Sequence, residues 1–139
     1  MQVQPYLNFD GRCEEALALY KRVVGAEVQM LLRFKDSPDP AAMSNMPAGA
    51  ENKVMHATIR IGANLVLASD CHCANKVSFQ GFSLALTVAD EAEAKRIFGA
   101  FADGGTVQMP LTKTFFSPSF GVVTDRFGVS WMIRTAAQE

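Results

Sequence analysis

Residues 25 to 30 read GAEVQM, and residues 104 to 109 read GGTVQM. Each hexapeptide follows a segment with helical spacing of apolar residues, and that segment follows an extended apolar run. Self-similarity of this kind indicates that one supersecondary unit occurs twice in the chain. We therefore predict two similar modules, the first at about residues 1–75 and the second at about residues 79–139.

The two predicted helices match each other residue for residue. Their apolar positions are Ala16, Leu19, Tyr20, Val23 and Val24 in the first helix, and Ala94, Ile97, Phe98, Phe101 and Ala102 in the second. Asp10 and Asp90 stand just before the helices and are predicted to cap them. Gly25 and the pair Gly104-Gly105 follow them as C-terminal stops. Both helices therefore have start and stop signals.

Extended segments with strand-like patterns complete each module. The predicted strands are 3–9, 27–34, 54–61 and 64–69 in the first module, and 82–88, 106–111, 120–124 and 129–134 in the second. Pro118 argues against a central strand at 115–120 and favours an edge, a bulge or a bend there. The order βαβββ in each module predicts an α+β fold.

Residues 35 to 53 are predicted to form a long loop, because they contain three prolines and no usable periodicity. Loops of this length inside a compact domain are uncommon and often cover a site. A lid and a solvated insertion are both compatible with this composition.

Composition favours one domain and excludes several classes of partner. The chain has 139 residues, is 49% hydrophobic and carries a net charge of −1. It has no block of like charges for nucleic acid or an anionic membrane, and no apolar run of the roughly 18 residues that a membrane span requires. The N-terminus lacks a signal-peptide pattern, so we expect a cytoplasmic protein.

The three cysteines also favour a reducing compartment, because their number is odd and Cys71 and Cys73 stand too close for an ordinary disulfide framework. The tetrapeptide from Asp70 to Cys73 is predicted to carry loop thiols, since a closed zinc site needs four ligands with wider spacing. No cofactor is expected.

Alternation along the strands separates an apolar face from a polar one. In the first and third strands the residues of one parity are polar, and we expect this face to curl around a small ligand rather than to lie in water. The predicted ligand-binding residues are Gln4, Tyr6, Asn8, His56, Arg60 and Ser69, with Phe115 and Phe116 at the rim.

His56 is the one histidine predicted on a strand, and an ordinary histidine pKa of about 6.5 would suit acid-base catalysis. A lone histidine on a half-polar strand is, however, more often a hydrogen-bonded structural residue, and we favour that interpretation. Arg60 and Arg134 share the polar faces of their strands, where guanidinium groups would favour a carboxylate, a phosphate or a phosphonate. The alternative is that both arginines reach solvent or a partner subunit.

The opening PYLNFDGRCEEALALYKRVVGAEV (5–28), the pair Ser69-Asp70 and the closing FGVVTDRFGVSWMI (120–133) resemble PhnB-like proteins of the vicinal-oxygen-chelate superfamily, which includes glyoxalases, bleomycin-resistance proteins and dioxygenases. The resemblance runs nearly end to end. It implies a homodimer in which the curved mixed sheets of two βαβββ modules form a cup, with small-molecule chemistry or sequestration inside.

Relatives of this kind are sometimes described as demethylubiquinone methyltransferases. This chain lacks the glycine-rich strand-to-helix turn that cradles a nucleotide-like cofactor, so methyl transfer is not expected.

Metalloenzymes of the superfamily place His, Gln or Glu at one inward position on four strands, and the resemblance puts Gln4, Leu67 or a neighbour of it, Ser83 and Met132 there. Leucine and methionine cannot supply the nitrogen or oxygen donors that such ions need, so we expect no metal at this site. A site rebuilt around His56, His72 and Asp70 is the alternative.

We therefore predict a metal-independent small-molecule-binding homodimer. The alternative is a lyase, isomerase or dioxygenase that uses a metal or His56.

Overall fold

A computed structural model describes residues 1–38, 49–70 and 77–136. The first half contains β1 (Tyr6–Asn8), α1 (Cys13–Val24), β2 (Glu27–Arg33), β3 (Val54–Ile61) and β4 (Asn64–Ser69). The second half contains β5 (Leu84–Val88), α2 (Glu91–Ala102), β6 (Thr106–Thr112), β7 (Phe120–Thr124) and β8 (Ser130–Thr135). The chain divides into two compact units, Met1–Val77 and Ser78–Glu139. Each unit has the order βαβββ, which confirms the predicted α+β class.

The first unit contains a four-stranded mixed sheet in the order β1-β4-β3-β2. Strand β1 runs parallel to β4, and the other neighbours are antiparallel. Side chains of one parity, including Leu7, Ala57 and Ile59, are buried on the face that α1 covers. Because alternate side chains point to opposite faces, the residues between them lie on the other face of the sheet.

The second unit repeats this plan with the order β5-β8-β7-β6 and a parallel pair between β5 and β8. Helix α2 packs on β7 and β8. Phe101 of α2 stacks on Trp131 of β8 with ring centroids 4.7 Å apart. Gly121 permits the close approach of α2, because a Cβ atom there would lie only 2.8 Å from Cε2 of Phe98.

The helix ends confirm one predicted cap and correct the other. The Asp90 carboxylate accepts a hydrogen bond from the Glu93 N–H at 2.9 Å, as the sequence predicts. The prediction for Asp10 is wrong, because Asp10 has a φ of 47° and the residue at the cap position is Arg12, whose side chain makes no capping bond. The N-terminus of α1 is capped instead by Asp70, which follows β4. Its Oδ1 accepts from the N–H groups of Gly11 and Cys13, both at 2.8 Å.

Strand boundaries agree with the predictions to within one residue, except at the beginnings of β1 and β5. Strand β1 begins at Tyr6 rather than residue 3, and β5 begins at Leu84 rather than residue 82. The segment around Pro118 is a bend between β6 and β7, as one of the predicted alternatives has it. Its backbone is held by the buried Ser117 hydroxyl, which lies 2.6 Å from the carbonyl oxygens of Ser119 and Thr135.

The predicted loop at 35–53 is described only at its ends, where two short 3₁₀ turns span Phe34–Asp36 and Ala50–Asn52. Residues 39–48 lie outside the described residues, and so do Cys71, His72 and Cys73. Cys13 is fully buried, and burial, followed by the charges of Asp70 and Glu14, raises the pKa of its thiol to about 12. Neither helix in the described part of the chain is long and apolar enough to cross a membrane.

Candidate functional site

The face of the first sheet opposite α1 carries the polar side chains that the alternation predicts. Residues paired directly across neighbouring strands share a face. Asn8 on β1 lies beside Ser69 on β4. Tyr6 lies beside Leu67, which lies beside Thr58 on β3. Strands β1, β4 and β3 thus present hydroxyl, amide and imidazole groups on one surface.

His56 is held between two hydroxyl groups on this surface. The Tyr6 hydroxyl lies 3.2 Å from Nδ1 of His56, and the Thr58 hydroxyl lies 3.5 Å from Nε2. A neutral imidazole donates through one nitrogen and accepts through the other, and a hydroxyl can serve either nitrogen. The ring therefore has a defined position with either tautomer. In the described part of the chain no carboxylate bonds to this ring, so the structure shows no acid–histidine pair of the kind that supports general-base catalysis.

Ser69 fixes the side chain of Asn8. The Ser69 hydroxyl donates to Oδ1 of Asn8 at 2.9 Å, and Ser69 itself is only 4% exposed. Because this bond uses the amide oxygen, the two N–H donors of the Asn8 amide remain for other acceptors. The sequence predicted both residues at the site, but the bond between them depends on the parallel register of β1 and β4.

Arg60 lies at the end of the same face, and its guanidinium forms an ion pair with Glu27 on β2. Both side chains are about half exposed, at 49% and 58%. The positive charge that suggested an anionic ligand is therefore already matched by a carboxylate. Sequence reasoning missed Glu27, because the pairing of β2 with β3 contains a bulge that no local pattern reveals.

The contacts described above include none of the three other predicted residues. Gln4 is half-buried and precedes β1. Phe115 and Phe116 belong to the second unit, in the bend before β7, where Phe115 is 100% and Phe116 37% exposed. Their rings meet edge to face at 5.1 Å, and Phe116 contacts Phe120 in the same manner at 5.0 Å.

The four positions that the resemblance implies for a divalent ion do not fit one. Leu67 and Met132 provide no oxygen or nitrogen donor, and the hydroxyl of Ser83 lies 2.7 Å from that of Ser130. Among the described residues there is no group of three or more His, Cys, Asp or Glu side chains that could hold a metal elsewhere. The side chains at these four positions therefore do not form a donor set that suits a divalent ion.

The N-terminus of α1, which could in principle bind an anion, is occupied by a protein carboxylate. Oδ1 of Asp70 accepts hydrogen bonds from the Gly11 and Cys13 N–H groups. Its Oδ2 accepts one from the Val54 N–H at 2.9 Å. This arrangement differs from strand-to-helix turns that leave backbone N–H groups free for a phosphate or a pyrophosphate.

Comparison with known proteins gives one consistent family. The family model described as 3-demethylubiquinone-9 3-methyltransferase matches residues 1–134. Protein YjdN of Escherichia coli K12 is 38% identical over 144 residues, an alignment that covers 100% of this chain and 98% of YjdN.

Solved structures agree with this result. The crystal structure of protein PA1353 from Pseudomonas aeruginosa is 42% identical, with a TM-score of 0.85 and 99% of each chain covered. The PhnB protein from Bacillus cereus is 29% identical, with a TM-score of 0.81 over 98% of this chain and 100% of that one. A glyoxylase/bleomycin resistance protein/dioxygenase domain from Frankia is only 10% identical, but a TM-score of 0.68 over 99% of this chain and 93% of that one shows the same fold.

Proposed function

The chain belongs to the family described as 3-demethylubiquinone-9 3-methyltransferase, a PhnB-like group of the glyoxalase/bleomycin-resistance/dioxygenase superfamily, and from this premise we propose that it binds a small molecule. The ligand would lie on the polar face of the first sheet, and its binding would need no metal and no cofactor. The proposed binding residues are Gln4, Tyr6, Asn8, His56, Arg60 and Ser69. Phe115 and Phe116 stay proposed rim residues.

The observation that carries this proposal is the hydrogen-bonded order of the polar face. The Tyr6 hydroxyl is hydrogen-bonded to His56, and the Ser69 hydroxyl donates a hydrogen bond to Asn8. Side chains from three strands are therefore fixed in position before a ligand binds. Preorganised groups lose little side-chain entropy on binding, and a few fixed polar groups on a sheet suit the orientation of a small ligand. Because Glu27 neutralises Arg60, the chemistry of this face favours an uncharged ligand with hydrogen-bond donors and acceptors.

Methyl transfer, which the family description names, is not part of the proposal. The connection from β1 to α1 contains one glycine, and the N–H groups of Gly11 and Cys13 bond to Asp70. The second helix begins at Glu91, and the carboxylate of Asp90 before it accepts a hydrogen bond from the Glu93 N–H in the first turn. At both helix starts a protein carboxylate thus accepts from backbone N–H groups that a nucleotide-like cofactor would otherwise use.

Catalysis by His56 is the less favoured candidate. Its two neighbours are hydroxyl groups, whereas a histidine that takes a proton in a reaction is usually stabilised by a carboxylate. The lyase, isomerase or dioxygenase alternative would gain support only from measured turnover of a substrate.

Homodimerisation and a cytoplasmic location complete the proposal. Strand β2 lies at the edge of its sheet and exposes Val28, Met30 and Leu32, which is the kind of apolar edge that a second subunit can cover. We expect sedimentation equilibrium to give about twice the chain mass of 15.1 kDa. A mass equal to one chain at micromolar concentration would remove the dimer from the proposal.

Binding can be tested by the thermal unfolding midpoint of chelator-treated protein against a library of small polar organic compounds. A ligand at 100 times its dissociation constant stabilises the folded state by about 2.7 kcal/mol, which is a clear shift for a domain of this size. We expect at least one uncharged compound to raise the midpoint.

Two substitutions test whether such a compound binds at the polar face of the first sheet. Tyr6→Phe removes one hydroxyl, and Asn8→Asp removes the amide donors but keeps the oxygen that Ser69 needs. Each is expected to weaken binding by about tenfold, the usual effect of one lost hydrogen bond. Gln80→Glu makes the same amide-to-carboxylate change on an exposed residue of the second unit and is the matched control. Equal affinity in wild type, Tyr6→Phe and Asn8→Asp would refute the proposed location.

A further inference from the structure

The second sheet contains a single charged side chain. Strands β5 to β8 include no Asp or Glu, and their one Lys or Arg residue is Arg134 on β8. Trp131, Ile133 and Thr135 are buried on the side of α2, whereas the alternate positions are partly exposed. Arg134 therefore lies on the face opposite α2.

Arg134 differs from the arginines of the first sheet in having no carboxylate partner within the described residues. Arg33 makes a two-bond pair with Glu14, which also holds the pKa of Glu14 below its usual value, and Arg60 pairs with Glu27. The Nε atom of Arg134 is buried and has no hydrogen-bond partner among the described protein atoms. A buried donor of a charged group without an acceptor is costly, so an external acceptor at this position would be strongly favoured.

The strand register defines the neighbours of Arg134. Thr87 lies beside it on β5, and Phe120 lies beside it on β7. Phe116 packs edge to face against Phe120, and Thr112 on β6 is the cross-strand partner of Phe120. The Arg134 position on β8 is thus flanked by the aromatic residues Phe116 and Phe120 on one side and by the exposed Thr87 on the other.

The next row of side chains along the same face is apolar. It consists of Met109, Val122, Met132 and Ala85, one from each strand. Positions two residues apart on one strand are separated by about 6.6 Å, so the row begins roughly one ring diameter from the Arg134 position. A positive donor at the end of an apolar floor matches a molecule with an anionic head and a compact apolar body.

We propose that the face of the second sheet opposite α2 is an oxyanion-binding site, in which the Arg134 guanidinium holds the head of a small organic acid. The head is a carboxylate or a phosphonate, since the planar fork of a guanidinium bonds to either through two parallel N–H groups. The apolar body lies over Met132 and its neighbours. This site goes beyond the proposed function, because it involves only residues of the second unit and requires an anion.

The direct test is titration of ¹⁵N-labelled protein with phenylphosphonate, observed at the Nε–Hε signal of Arg134. Arg134→Lys assigns this signal by its disappearance. We expect a saturable shift in the wild type, and weaker binding of inorganic phosphate, which lacks the apolar body. No shift of the Arg134 signal at concentrations that saturate other protein signals would overturn the proposal.

Variants separate a binding role from a structural one. Arg134→Gln is expected to weaken phenylphosphonate binding by about 10- to 100-fold, the usual effect of losing hydrogen bonds from a charged group. Arg22→Gln removes the same charge from an exposed position of α1 and should change the affinity by less than about twofold, because surface charges are screened. An Arg134→Gln affinity within twofold of the wild type would contradict the proposal.

A stability measurement completes the test. Arg134→Met removes a buried donor that lacks a partner, so its unfolding midpoint in the absence of ligand is expected to equal or exceed that of the wild type. A large fall in the midpoint would show that the guanidinium serves the fold rather than a ligand, and the proposal would be withdrawn.

Discussion

Replacement of Asp70 by alanine is expected to lower the free energy of unfolding by about 3 to 5 kcal/mol, because each buried N–H left without an acceptor costs about 1 to 3 kcal/mol. Asp70 is 4% exposed, and its carboxylate accepts from the N–H groups of Gly11, Cys13 and Val54 at 2.8, 2.8 and 2.9 Å. These bonds connect the end of β4 to the start of α1 and the start of β3. Urea unfolding followed by circular dichroism measures the loss.

The matched control is Asp90→Ala, which removes a carboxylate with a single backbone bond at the start of α2. Loss of an ordinary N-cap costs about 1 kcal/mol. If Asp70→Ala were no more destabilising than Asp90→Ala, the carboxylate would not have the organising role that its three bonds indicate.

The second large effect is expected at Gly105, directly after the turn that follows α2. A Cβ atom there would overlap the backbone oxygen of Thr124 and lie 2.5 Å from that of Phe101. Backbone atoms cannot move aside as the end of a flexible side chain can, so Gly105→Ala is expected to cost about 3 kcal/mol or more. The same urea experiment measures it.

Gly99→Ala is the control for this substitution. Gly99 lies inside α2, and a Cβ atom there would meet nothing within 4 Å. Alanine is the better helix former by about 1 kcal/mol, so this variant should be as stable as the wild type or more stable. Equal stability of both variants would mean that the turn at Gly105 adjusts freely, contrary to the packing described.

The fold was predictable because the signals that specify it are local. Helical spacing, the glycines after each helix and the alternation of the strands identified both helices and all eight strands. The cap of α1 was not predictable, because Asp70 lies 59 residues from Gly11 in the chain. Asp10 has the residue type and sequence position of an N-cap, but its positive φ of 47° differs from the extended backbone that an N-cap residue adopts.

A second buried carboxylate was missed although its partners are close to it in sequence. Asp125 accepts from the N–H groups of Phe127 and Val129 and from the indole N–H of Trp131. Both Asp70 and Asp125 directly follow a strand, and a polar residue at a strand end can belong to a site, a turn or a cap. Only the bonds that it makes distinguish these roles.

The candidate site was predictable as a face but not as a set of contacts. Period-two alternation put Tyr6, Asn8 and His56 on one surface, since the parity of a strand follows from its sequence. The charge state of the site depends on partners across strands. Arg60 and Arg134 look equivalent in sequence, yet Glu27 neutralises the first and no described residue neutralises the second.

The central claim is that the first sheet binds a small molecule without a metal. Calorimetric titration of metal-stripped protein with the best compound of the stability screen tests it most directly, with elemental analysis of the same samples before and after separate reloading with nickel, manganese, ferrous iron and zinc. We predict one dissociation constant, within about twofold, for stripped and reloaded protein, because the donors of the proposed site are hydroxyl, amide and imidazole groups that act as hydrogen-bonding partners. Binding that appears only when a near-stoichiometric metal is present would contradict the account.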